Sequence, residues 1–133
     1  MGKIIMTKES YTIPDFSTFP VFNPKNMETL RQQTRNRPEL LKEILDSFIE
    51  ESHEIIEEIK AHIESNDIDK LSRSVHTLKG LTGTIGASRF YQLLSHIDAC
   101  HKESDFSNTQ NLCQIFDTNL ELLISYFKEE GFE

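Results

Sequence analysis

Ile68, Leu71, Val75, Leu78, Thr82 and Ile85 follow one another at intervals of three and four residues. At about 3.6 residues per turn, an α-helix brings such positions onto one face, whereas a strand would scatter them over two. The same rhythm recurs along the chain. Over about 37–65, Leu41, Ile44, Phe48, Ile55 and Ile59 form a seam that Leu45, Ile49, Ile56 and Ile63 widen. At ~1.5 Å per residue this helix would span roughly 40 Å. Its other face carries Glu50, Glu51, Glu54, Glu57 and Glu58 and reads as solvated. Over 88–103, Phe90, Leu93, Leu94, Ile97 and Cys100 turn inward. Over about 108–130, Leu112, Ile115, Phe116, Leu122, Leu123, Tyr126 and Phe127 do so. No strand pattern, internal repeat or low-complexity segment interrupts this.

Helix ends are marked as well. Asn23-Pro24 reads as an N-cap followed by proline at the first helical position, opening a short helix over about 24–34 with Met27 and Leu30. Asn36 is the expected cap of the long helix, with Pro38 in its first turn and Glu39 closing a capping box. Ser65-Asn-Asp67 caps the helix over 67–85, and Gly86 stops it. Ser88 is the expected cap of the next helix. Ser107-Asn-Thr-Gln110 is the expected capping box of the last, which Gly131 follows. Short connections make neighbouring helices antiparallel. The prediction is an all-α, antiparallel up-down-up-down four-helix bundle with a short additional N-terminal helix, one domain over 24–133. Before it lies an irregular N-terminal arm, 1–23, broken by Pro14 and Pro20. Its Tyr11, Phe16, Phe19 and Phe22 are expected to lie against the bundle, and its first ten residues to be disordered.

A hydrophobic content of 37% with 27% charged residues suits a thin bundle with much wetted surface. The net charge of −8 excludes a basic nucleic-acid footprint and sets the chain against an anionic membrane. The partners left are proteins offering a local positive or apolar patch. Cys100 and Cys113 sit in helical patterns without a CxxC and read as reduced thiols. No apolar run approaches the ~18 residues of a membrane span. Met1-Gly-Lys-Ile-Ile-Met6 is too short for a signal-peptide core and lacks the Ser or Thr of a myristoylation site. A cytoplasmic protein is expected, and the short arm and finished C-terminal helix favour a standalone carrier over an excised domain.

Inside the helix over 67–85 lies Ser74-Val-His-Thr-Leu-Lys-Gly-Leu-Thr-Gly-Thr-Ile-Gly-Ala87. Glycine in a helix interior costs about 1 kcal/mol relative to alanine, and this stretch holds Gly80, Gly83 and Gly86. His76 stands about 100° round from Val75, so it points away from the seam. Lys79, Gly80 and Gly83, at i+3, i+4 and i+7, share its face, and Ser72 and Arg73 lie one turn before it. A neutral imidazole is a competent nitrogen nucleophile near pH 7. Lys79 can offset charge on an anionic group reaching that nitrogen. The glycines let another macromolecule's backbone come close. A transferred phosphoryl group fits all three features, and so does close docking by the protein that delivers it.

His76-Thr-Leu-Lys79-Gly80, followed by Gly83 and Ile85-Gly86-Ala87, resembles the signature of histidine-containing phosphotransfer (HPt) domains, the intermediates of multistep phosphorelays. The helical pattern over about 24–130 is similar to that family's four-helix bundle. The resemblance implies that His76 is phosphorylated on Nε2 and that Lys79 assists the phosphoryl group electrostatically. It also implies that Gly80 and Gly83, flanked by Ser72 and Arg73, give a receiver domain's active site room to dock. Apolar residues near His76, drawn from Met27, Leu30, Leu40 or Leu41, would complete the docking surface. Some members carry a glutamine one helix later. Asp98 stands there in this chain, and a carboxylate does not favour a phosphate. Leu81 is bulkier than the small residue common after the glycine.

The partners implied are receiver domains of response regulators, a hybrid sensor histidine kinase, or both. The receiver would bring the phospho-aspartate and its Mg²⁺. No cofactor, metal site or nucleotide loop is expected in this chain, and its role is that of a monomeric phosphocarrier without independent catalysis. Phosphate would pass from one receiver to His76 and on to another, reversibly.

Blander readings compete. A lone helical histidine is usually a surface residue, and His53, His62, His96 and His101 are read so. None forms an HxxxH pair or a zinc-spaced cluster. Glu50 and His53 have the Glu-x-x-His spacing of di-metal bundles, but a second such motif is missing. A sensor-kinase dimerisation helix normally has an acidic residue directly after its histidine and a proline soon afterwards. Here Thr77 follows and no proline does. A non-phosphorylated helical-bundle adaptor, binding a receiver or kinase without transfer, is the rival of a different class. The intact His76 argues against it.

Overall fold

The computed structural model of the protein describes residues 14–132. Among them lie five helices and no strand: α1 (Pro24–Gln33), α2 (Pro38–Glu64), α3 (Ile68–Ile85), α4 (Ser88–Lys102) and α5 (Thr109–Glu129). The all-α expectation is met, and every helix end falls within one residue of its predicted place. The four longer helices contact one another in a closed ring. α3 packs on α2 and α4, α5 packs on the same two, and α1 adds to α2. Leu45, Ile56, Val75, Leu78, Leu94, Ile97, Leu112 and Phe116 are completely or almost completely enclosed. The Phe90 and Phe116 rings meet at 5.6 Å. Removing each such side chain from water stabilises the fold by about 1.5–3 kcal/mol, so the ring of helices needs no staple. Cys100 and Cys113 are free and half-buried.

Three expected caps are as read. The Asn23 carboxamide accepts from the Lys25 N–H at 2.9 Å, with Pro24 at the first helical position. Asp67 accepts from the Lys70 N–H at 3.1 Å. Gly86, at φ 99°, turns left-handed, and the N–H groups of Gly86 and Ala87 both close on the Thr82 carbonyl. The others need correction. Asn36 does not cap α2, because Arg35 and Asn36, at φ 55° and 59°, both make the tight left-handed reversal out of α1. The N-cap position falls to Arg37, which makes no side-chain bond. Ala87, not Ser88, precedes α4, and the Ser88 hydroxyl turns back to the Gly86 carbonyl at 3.4 Å. The Ser107 hydroxyl and N–H both bond the Asp105 carboxylate, at 2.8 and 3.0 Å, so Ser107 belongs to the preceding turn and Asn108 occupies the N-cap position of α5.

The inward rows also differ in places. On α2 the buried row is Leu41, Leu45, Phe48, Ser52, Ile56 and Ile59, while Ile44 is 39% exposed and Ile55 half-buried. Ser52 sits at the centre of that row, where a count of apolar residues passes over it. On α5 Leu120 is buried and Leu122 exposed. On α4 His101 takes the buried place and Cys100 is half-buried. Of the arm's aromatics, Phe22 is 1% exposed, stacked on Tyr126 at 5.7 Å and edge-on to Phe127 at 5.4 Å. Phe16 packs partly against the core, and Phe19 is exposed. Arg89 holds this segment by donating to the carbonyls of Phe19 and Ser17 at 2.9 and 3.1 Å. Tyr11 and the expected disordered start lie outside the described residues.

His101 is 8% exposed, stacked on Phe106 at 4.6 Å, with no partner for Nδ1. Burial pushes its pKa down against the opposing pull of Asp98 and Asp105. The unfolded chain therefore takes up this proton first as pH falls. Stability present above the ordinary imidazole pKa of about 6.5 is lost on acidification below it. Chemical denaturation at about pH 7 and pH 5 should show this loss in the wild type and a shallower one in His101→Phe. Equal slopes would mean that the folded state does not hold His101 neutral.

Candidate functional site

Val75 and Leu78 are wholly enclosed, and a helix that buries both must turn the residues between them outward. The His76 side chain is accordingly 64% exposed. Across the α3–α4 contact, Asp98 follows the enclosed Ile97 and is itself 4% exposed. Its Oδ2 atom lies 3.3 Å from His76 Nδ1, 3.2 Å from Lys79 Nζ and 3.4 Å from Lys102 Nζ. One oxygen of a buried carboxylate thus gathers an imidazole and two ammonium groups. Burial by itself would raise the Asp98 pKa. The hydrogen bonds from His76 and Lys79 and the charge of Lys102 outweigh it and hold the carboxyl below its ordinary range. Asp98 is therefore ionised at neutral pH, the state in which a carboxylate only accepts.

The glycines of α3 divide three ways. Gly86 is the left-handed stop, and a Cβ there would also meet the Asn26 side chain at 2.6 Å. At Gly83 a Cβ would lie 2.8 Å from Cε1 of Tyr91, so the ring from α4 occupies that place. At Gly80 a Cβ would meet nothing within 4 Å. No packing inside the described chain calls for glycine at position 80. His76, Lys79, Gly80, Gly83, Tyr91 and Asn26 line an open groove of about 540 Å³. On the other side of the imidazole, a hollow of about 460 Å³ is lined by Ser72, Arg73, Asp98, His101 and Lys102.

The residues singled out in the sequence separate accordingly. His76 and Lys79 meet through Asp98. Gly80 and Gly83 line the groove beside them, and Ser72 and Arg73 fall in the opposite hollow. Met27 and Leu41, named as apolar docking candidates, are 3% and 2% exposed and belong to the core. Leu30 is half-buried, and Leu40 is exposed together with Ile44 one turn on. Sequence reasoning missed the convergence on Asp98. Two signals pointed to it: Asp98 lies four residues after Leu94, on the buried row of α4, and Lys102 lies four residues after Asp98. Among the described residues, no group of three or more His, Cys, Asp or Glu side chains could hold a metal, and no helix is long and apolar enough to cross a membrane.

The glycine geometry separates two substitutions that helix propensity treats alike. Gly80→Ala should raise stability by up to about 1 kcal/mol, since alanine is the better helix former and the space is open. Gly83→Ala should fall below Gly80→Ala by about 1–3 kcal/mol, because the new methyl displaces the Tyr91 ring. Denaturant titration checks both, and the difference should shrink in a Tyr91→Ala background. Equal effects of the two alanines would refute the role given to Tyr91.

Comparison with known families agrees with the all-helical fold. A family model of the Hpt domain matches residues 43–128, about two thirds of the chain. The matched span takes in most of α2, all of α3 and α4 with His76, Lys79 and Asp98, and nearly all of α5. No curated protein and no solved structure matches the chain. With a family match over more than half its length and an all-helical fold, the chain belongs to the Hpt domain family, the phosphotransfer modules of phosphorelay signalling.

Proposed function

We propose that this protein is a phosphorelay intermediate that accepts a phosphoryl group from the phospho-aspartate of a receiver domain onto His76 and passes it to another receiver. The observation that carries the reading is the exposed His76 beside Lys79 and beside Gly80, whose missing side chain nothing inside the described chain explains. In the forward step, the Nε2 lone pair attacks phosphorus, the P–Nε2 bond forms, and the P–O bond to the receiver's aspartate breaks, its electron pair staying on the carboxylate. Such a transfer passes through a loose transition state, so positioning and charge neutralisation do most of the work. The receiver supplies Mg²⁺. This chain supplies a placed nucleophile, an adjacent ammonium group at Lys79 and a clear approach over Gly80. Gly83, Ser72 and Arg73 widen the docking face, and the exposed Leu40 and Ile44 are its apolar candidates.

The reading carries its architecture with it: an antiparallel up-down-up-down bundle domain over 24–133, preceded by an arm over 1–23. It also carries a monomeric, cytoplasmic carrier that meets receivers of response regulators, a hybrid sensor kinase, or both.

Incubation with a phosphorylated receiver should give the wild type an acid-labile, base-stable label, and His76→Gln should take none while keeping its helical content and denaturation midpoint. A wild type that binds the receiver yet never takes label is an adaptor, and transfer is then wrong. Gly80→Glu places a long anionic side chain in the open groove. It should weaken receiver binding at least about tenfold, a cost of about 1.4 kcal/mol, without loss of fold. Unchanged affinity would remove Gly80 from the docking surface.

A further inference from the structure

We infer that Asp98 is the positioning residue for His76. It holds the ring proton on Nδ1 so that Nε2 offers its lone pair outward, and it pairs with the charge that the ring acquires on taking a phosphoryl group. The second half of this assignment rests on the phosphotransfer reading, and the first half does not.

The geometry is specific. Asp98 Oδ2 lies 3.3 Å from Nδ1, on a residue 4% exposed. A neutral imidazole has one donor nitrogen and one acceptor nitrogen, and an ionised carboxylate can only accept. The bond therefore selects the Nδ1–H tautomer and leaves Nε2 as the nucleophile, in the way a buried carboxylate orients an imidazole in hydrolytic triads. The other neighbours of Oδ2, Lys79 Nζ at 3.2 Å and Lys102 Nζ at 3.4 Å, are donors only. Neither can reverse the polarity of the contact.

The transfer step then balances without a proton leaving the ring. Nε2 gives its lone pair to phosphorus, and the receiver's aspartate leaves with the P–O pair. The ring keeps Nδ1–H and becomes an N-phosphorylated imidazolium with one added positive charge. Asp98 faces that charge across the existing hydrogen bond. In the return step the cationic ring is the better leaving group, so the contact serves both directions of a reversible carrier. A carboxylate in this place would be a liability if it faced the phosphoryl oxygens. It faces the far nitrogen instead, and the same oxygen keeps two ammonium groups beside the site.

The test uses the full chain with ¹⁵N-labelled histidine at about pH 8.5, above the ordinary imidazole pKa of about 6.5. The wild type should show His76 as the Nδ1–H tautomer. Asp98→Ala should lose it in favour of Nε2–H. Asp98→Asn should keep it, because Lys79 and Lys102 would hold the amide oxygen toward the donors. Phosphate acceptance from a phosphorylated receiver should fall about ten- to hundredfold in Asp98→Ala, the size of a hydrogen bond to a charged group, with receiver affinity unchanged. Asp98→Asn should recover part of that rate, and its near-identical shape guards against a folding artefact. Persistence of Nδ1–H in Asp98→Ala, or transfer at the wild-type rate, would overturn the assignment. The tautomer is read with no phosphodonor present. A wild type with Nδ1–H that takes no label would sink the phosphotransfer reading and leave the positioning role standing.

Discussion

The burial of Val75 and Leu78 is the constraint on which the site depends. These side chains lie three residues apart on α3 and are both fully enclosed, between α2 on one flank and α4 on the other. Once they are fixed inward, the period of the helix decides where His76, Lys79 and Gly80 can go. No loop has to be ordered to aim the histidine. The placement is as stiff as the core beneath it, and close packing makes that core slow to yield. The same packing brings α4 alongside, which delivers Asp98 and Tyr91 to the two sides of the exposed face.

That face shows how three instances of one residue type can answer to different causes. Gly86 answers to backbone conformation, Gly83 to the ring of a neighbouring helix, and Gly80 to nothing inside the described chain. From sequence, all three look like the same anomaly, a loss of helix propensity. Only the neighbours separate them, and only Gly80 has open space where its side chain would be. The open space on this face is therefore narrower than a three-glycine stripe suggests and is centred on Gly80 beside the imidazole.

The helices were legible because both their period and their stops are written locally. Asn23-Pro24, Asp67 and Gly86 act through their own backbone, and they sit where they were read. The errors arose where a residue's use depends on what lies across from it. Asn36 had two possible uses, cap or left-handed turn, and the tight exit from α1 took the second. Ser52 is enclosed though polar, while Ile44 and Leu122 are exposed though apolar, because the ring of four helices sets the centre of each buried face. Within the site, His76, Lys79 and Gly80 could be placed by counting along one helix. Asp98 could be placed on the next helix, but its use could not. A carboxylate judged against a phosphate looks unfavourable, and the same carboxylate 3.3 Å from Nδ1 addresses a different atom.

Phe22 carries a consequence of another kind. Its ring is enclosed between Tyr126 and Phe127, and the next residue, Asn23, donates its N–H to the Gly86 carbonyl at 2.8 Å. The family match begins only at residue 43. Phe22, Met27 and Leu41 all lie before that point and all belong to the core. The unit recognisable by descent is thus smaller than the unit that folds. Phe22, Met27 and Leu41 answer to the demands of the interior, while Asn26, on the same stretch, lines the groove beside His76.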